Sequence, residues 1–377
     1  MRNKSKILFG VMLLLVVLVV VVFVFIWYHR KPILIGYSSN LTGTSSEIAV
    51  EGMYGAMMAV QEVNKSGGIK GREIKLIIKD DGNTEKTALE ADKELVSQGV
   101  KAIIGHSISG VFGLSFSYIN SIGMVMVSPS ISSSDFAHQN DYFYTMVPIS
   151  EYQSERISQA LTDYHYKKTG YLYQKENERY SKGFVEDTAK YLKKQNLNPT
   201  FMEYYSQKDE DSFQKAANLI VNSEIDSLVI SGPAYDVARF AQILYSKHIK
   251  LPIFTSTWSM STELLSIAGP AAEGIFTINS YDSASDTSDY KEFYRKYKEL
   301  YNEEPTFSSV YSYEGCMLLL KALKESAGFD GVDIKAAIES NSSFVGLQGD
   351  VSLDENGDAH RNMYLFEVVN GEFERVD

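Results

Sequence analysis

From residue 32 onward the chain alternates short apolar strands with amphipathic helices, runs through the series once, and then begins it again. No other feature constrains the fold as strongly. "ILIGY" (33–37) is a strand. A helical stretch over about 45–65 follows, with Ala49, Met53, Ala56, Met57 and Val60 on one stripe. "SGGIKG" (66–71) stops it. "EIKLIIKDD", "KAIIGH" and "MVMVSP" read as strands, with helices between them. The series restarts with the helix "SEYQSERISQALTDY" and the strand "KTGYLYQ", and continues through "FMEYYS", "SLVISG", "PIFTS" and "GIFTINSY". Strands separated by helices make βαβ units and a parallel sheet. Two such series with no low-complexity linker predict two Rossmann-like, doubly wound α/β lobes joined by a short hinge. The expected hinge lies near 147–150 and again near 281. The first lobe takes about 32–149 and 282–345, the second about 150–281 and 346–377. Asn356-Gly357 and Asn370-Gly371 mark hairpins in the tail.

In an open parallel sheet, ligands sit outside the carboxyl ends of the strands. Two serine-bearing loops leave such ends: "GHSISG" (105–110) and "SPSISSSD" (128–135), the latter with five serines in seven residues. Strands close in sequence are often sheet neighbours, so both loops are expected to open on one crevice. Hydroxyls, with free N–H groups at the start of each following helix, offer an anion a cradle without a formal positive charge. Serine is also a favoured helix cap, the plainer use of either loop alone.

The uncharged run 7–28 is about 33 Å long as a helix, enough to cross a bilayer. Lysines and an arginine precede it, Trp27 and Tyr28 close it, and no small-residue cleavage site follows. Residues 1–31 are therefore expected to form an uncleaved transmembrane anchor, leaving the remainder extracytoplasmic. Net charge is −12 (36 basic against 48 acidic residues), which argues against nucleic acid as a partner. The lone cysteine, Cys316, sits in a helical apolar pattern and reads as core. The six histidines show no metal-ligand spacing. "GHSIS" misses the nucleophile elbow because Ser109 stands where the second glycine belongs. "DENGDAH" (354–360) begins like a calcium loop but reads as a turn. The expectation is no enzyme, no cofactor and no metal.

"ILIGYSSNLTG", "NKSGGIKGREIKLIIKDD", "KAIIGHSISG" and "MVMVSPSISSSDF", continued by "SEYQ", "RYSKGF" and "SIAGPAAEGIFT", resemble the leucine/isoleucine/valine-binding proteins, type I periplasmic solute-binding proteins of ABC importers. The resemblance runs over essentially everything after Lys31. It implies two lobes that close over a small solute by hinge motion, an amino acid being the leading class, and delivery to an ABC permease in the membrane. It places the carboxylate-binding serine of the first loop on Ser109, and the second loop's groups on Ser130 and Ser132. The opposite lobe's tyrosine falls on Tyr180, which as a residue type also suits an exposed helix start. Two positions depart from the family pattern. Thr257, in "TSTWSM", stands where an acidic residue usually meets the ligand ammonium, with Trp258 beside it either as a pocket wall or as packing. Asp236 or Asp282 are the substitutes in reach, though either residue suits a solvated surface. In the first-lobe loop, Ser45 and Ser46 replace the usual contact or cap the helix. A carboxylate or amide without an ammonium stays open as the ligand. So does a second role, a sensor reporting occupancy to a membrane signalling partner.

Overall fold

The computed structural model describes residues 12–21, 23, 31–43 and 46–376. The expected anchor falls largely outside these residues. Met12 to Val21 are helical and exposed, and among the described residues no helix is long and apolar enough to cross a membrane.

The first lobe is built on a five-stranded parallel sheet of β1 (Ile33–Ser39), β2 (Ile74–Asp80), β3 (Ile103–Gly105), β4 (Met126–Ser128) and β5 (Phe143–Thr145), in the order β2-β1-β3-β4-β5. The period-two alternation of β1 sorts its side chains onto two faces. Ile33, Ile35 and Tyr37 join a core with α1 (Ser46–Lys65) and α10 (Phe307–Glu325). Leu34 packs against the opposite core, made by α2 (Glu85–Ser97) and α3 (Gly113–Ile122). Gly55 of α1 permits the crossing with α10, since a Cβ there would lie 2.1 Å from the carbonyl oxygen of Ser309.

The second lobe holds β6 (Thr169–Gln174), β7 (Phe201–Tyr205), β8 (Ser227–Ser231), β9 (Ile253–Thr255) and β10 (Ile275–Asn279). With the antiparallel tail strands β14 (Tyr364–Val369) and β15 (Glu372–Arg375) they form a seven-stranded sheet, β15-β14-β10-β9-β8-β6-β7. Helices α4 (Ser150–Asp163), α5 (Glu178–Lys193), α6 (Glu210–Asn222), α7 (Ala234–Ser246) and α8 (Thr262–Ala268) cover its two faces. Asn370 and Gly371, with φ of 53° and 78°, turn β14 into β15 as the sequence predicts.

The chain returns to the first lobe with α9 (Ser288–Tyr301), α10 and α11 (Gly331–Glu339), whose apolar faces enter the first core. The boundary expected at 345/346 moves. Strands β11 (Ser343–Gly346), β12 (Gly349–Leu353) and β13 (Ala359–His360) form a small antiparallel sheet whose Val351, Leu353 and Ala359 belong to the first-lobe core. Thr145 N–H donates to Gly357 O at 3.0 Å, and Arg361 donates to Met146 O at 2.8 Å. The return crossing therefore lies between Arg361 and Met363, which packs on the second lobe. The hairpin expected at Asn356-Gly357 is present, joining β12 to β13 with Gly357 at φ 88°; only its lobe differs, because a strand's period says which face it buries, not which lobe receives that face.

Candidate functional site

β3 and β4 are hydrogen-bonded neighbours, pairing Ile103 with Met126 and Ile104 with Val127. Their serine loops thus leave the same edge side by side. The hydroxyls then divide into two groups. Ser128 Oγ donates to His106 O (2.7 Å) and accepts from Ile131 N–H (2.9 Å), stitching one loop to the other. Ser133 Oγ donates to Arg179 O across the lobes (3.1 Å), and Ser134 Oγ meets Ser150 Oγ at 3.0 Å. Ser109, Ser130 and Ser132, with Ser107, instead line a pocket between the lobes. Ser130 Oγ also donates to Ser107 O (3.0 Å), and Ser109 Oγ accepts a long 3.4 Å bond from Ser133 N–H.

The first loop runs through a 3-10 turn, Ser109–Val111, and Phe112 into α3 at Gly113, so a helix start follows it as expected, whereas the second ends in a lone 3-10 turn, Ser134–Phe136.

The facing wall comes from the second lobe: Asn177, Tyr180, Thr257 and Trp258. Tyr180 is 3% exposed and not a surface aromatic. Its hydroxyl donates to Gln153 Oε1 at 2.7 Å, and Thr257 Oγ1 donates to the same oxygen at 3.1 Å. Gln153 is anchored in turn by its Nε2 donating to Pro148 O at 2.7 Å, at the hinge. Burial pushes the Tyr180 phenol up to about 12, so it stays a neutral donor. Trp258 both lines the pocket and packs edge-on against Tyr180, ring centroids 6.1 Å apart at 74°. Gln153 and Asn177 were not singled out from sequence. Asn177 Oδ1 accepts Gly110 N–H across the lobes at 2.8 Å. "SEYQ" was the one signal pointing at Gln153.

This inner pocket encloses about 20 Å³, room for a single water, so the lobes are shut. Ser46 does not reach it. Ser46 lines an adjoining chamber of about 330 Å³, also between the lobes, which shares Ile48, Trp258 and Phe307 with the inner pocket. Among the described residues, none that carries a formal charge lines the inner pocket.

Behind the first serine loop sits His106, fully buried. Asp81 Oδ2 lies 2.8 Å from Nδ1 and Asp92 Oδ2 lies 3.1 Å from Nε2. Burial pulls its pKa down, but the two carboxylates outweigh burial and lift it to about 10. The ring is an imidazolium clamped between two anions, and it fixes the backbone that carries Ser107 and Ser109.

Asp236 corrects a sequence expectation. It is completely buried, not solvated, and neither carboxylate oxygen has a hydrogen-bond partner. Burial raises it to about 7, against the opposing pull of neighbouring Gln207. Asp282 caps a turn, accepting from Ala284 N–H at 2.8 Å, and lines neither pocket. Among the histidines, His138 meets Asp354 and Asp358 with side-chain atoms within 4.8 Å. His138 N–H donates to Asp358 at 2.7 Å, and that bond ties the "DENGD" turn to the first lobe.

The chain is 25% identical over 328 residues to Leu/Ile/Val-binding protein homolog 1 of Brucella melitensis, covering 86% of this chain and 87% of that one. A leucine-binding protein, LivK, from Thermotoga maritima superposes with a TM-score of 0.84 at 21% identity, over 92% of this chain and 98% of that one. LivJ of Streptococcus pneumoniae, a branched-chain amino acid transporter substrate-binding protein solved with isoleucine, gives 0.82 at 24% identity over 92% and 99%. The sequence profile described as periplasmic binding protein matches residues 32–372. With the two-lobed fold, this establishes that the chain belongs to the type I periplasmic binding proteins, in the leucine/isoleucine/valine-binding family.

Proposed function

We propose that the protein captures a small carboxylate-bearing solute, an amino acid foremost, between its lobes and presents the closed form to an ABC importer. The carrying observation is the convergence of Ser109, Ser130 and Ser132 from one lobe with Tyr180 and Thr257 from the other on one uncharged pocket. A carboxylate there takes the uncommitted hydroxyls of Ser109 and Ser132, and draws Ser130, Tyr180 and Thr257 only by exchanging their present bonds to Ser107 O and Gln153 Oε1; no cation is left unpaired without it. Closure is binding energy converted to a shape that a permease can recognise, and no reacting group is needed. Trp258 walls the pocket, while Ser46 stands at the outer chamber. The uncharged run 7–28 suits a tether that keeps the receptor beside its permease and raises effective concentration. Deleting residues 1–31 should then move the protein from the membrane fraction to the soluble one.

The test is calorimetry of the full chain in detergent with a panel of amino acids and small carboxylates. Ser109→Ala with Ser132→Ala should weaken the best ligand by about tenfold or more. The melting temperature without ligand should not move. An equal loss of ligand-free stability would mean that the serines serve only the loops.

A further inference from the structure

The outer chamber differs in chemistry from the hydroxyl pocket it adjoins. Glu47 and Glu51, on the first lobe's α1, and Glu263, on the second lobe's α8, line it, and among the described residues no lysine, arginine or histidine does. Glu51 Oε2 accepts from Thr306 Oγ1 at 2.5 Å, which leaves its other oxygen for the chamber. Trp258 and Tyr235 add aromatic walls from the second lobe, and Phe307 from the first. Aromatic walls and carboxylates are two independent features that favour the same guest, a cation, the rings through their negative faces.

The resemblance to leucine/isoleucine/valine-binding proteins would put an apolar side chain in this chamber. The lining argues otherwise. An aliphatic group would shut three carboxylates into a closing cleft with no counter-charge.

Resting on the reading of the inner pocket as a carboxylate cradle, we infer that the ligand is a cation-tailed carboxylate. Its carboxylate sits among Ser109, Ser130 and Ser132, and its protonated amine or guanidinium lies in the outer chamber, held by Glu47 and Glu263 from opposite lobes. Because each lobe supplies one acid, the cation bridges them, and lobe closure depends on it. Burial, together with Glu263 opposite and Glu303 nearby, raises Glu47 to about 7. Burial likewise raises Glu51 to about 8. Among the described residues no base lines the chamber beside them.

The probes are L-lysine, L-ornithine, L-arginine, Nε-acetyl-L-lysine, L-leucine and cadaverine, titrated calorimetrically into the full chain at pH 7.5. The basic amino acids should bind, acetyl-lysine and leucine should bind at least about tenfold more weakly, and cadaverine, without a carboxylate, more weakly still. Glu47→Gln and Glu263→Gln should each weaken the basic amino acid by about tenfold and leave leucine or acetyl-lysine unchanged. If leucine binds as well as lysine, with loss on Ser109→Ala, the cradle stands and this inference falls. If cadaverine binds as well as lysine and Ser109→Ala changes nothing, the cradle reading falls too. Tight binding of calcium ion alone, abolished by Glu47→Gln and competitive with lysine, would overturn the organic cation in favour of a metal.

Discussion

Single residues carry the electrostatics of this protein, and each has a measurable consequence. His106 gains an imidazolium in the fold, so its contribution to stability is complete below its ordinary value near 6.5 and is lost as pH rises toward 10. The melting temperature should fall over that window. In His106→Gln the fall should be absent, while overall stability drops by about 3–5 kcal/mol because Asp81 and Asp92 lose their shared cation. Asp236 gives the same direction for a different reason, since burial disfavours its charged form. An acid raised to about 7 destabilises the fold as pH rises from about 4 to 7, so Asp236→Asn should raise the melting temperature more at pH 8 than at pH 5. Cys316, fully buried with its thiol pushed up to about 12 by burial, should resist alkylation until the protein unfolds.

At the level of elements, the helix crossing and the hinge hold the geometry. Gly55→Ala should destabilise by several kcal/mol in denaturant titration, because its Cβ meets backbone 2.1 Å away and backbone cannot rotate aside. Gly36→Ala should cost less, since its nearest atom is the movable end of Leu95 at 2.9 Å. At the hinge, Arg361 pairs with Glu314, both nearly buried, while Glu314 also accepts Leu347 N–H at 2.6 Å. The pair fixes the returning strand to the first lobe. Arg361→Ala should destabilise by about 3–5 kcal/mol, leaving an uncompensated carboxylate.

For the whole molecule the variable is lobe closure. Glu47 and Glu51 on one lobe face Glu263 on the other, with Glu303 near and Thr306 bonded to Glu51. The raised values of Glu47 and Glu51 mean that closure without ligand is favoured at low pH and weakens as pH climbs from about 4.5 through 7–8. Small-angle scattering of the ligand-free chain should show a larger radius of gyration at pH 8 than at pH 5, and Glu47→Gln should shrink that difference. The cross-lobe contacts of Arg179 with Asp135 (3.2 Å) and Glu85 (3.1 Å) are half-exposed, so added salt should change closure only slightly. From its sequence alone this protein is a two-lobed α/β binder with serine loops on adjacent strand ends, because strand period, helix period and chain order are local properties that survive without coordinates. Only the tertiary structure decided which serines face the cleft and which bind the loops together, that Gln153 orders Tyr180 and Thr257, and that 346–361 stay with the first lobe. It alone brought Glu47 opposite Glu263, because two residues over two hundred positions apart meet through the packing of both lobes, and no spacing in the chain records that distance.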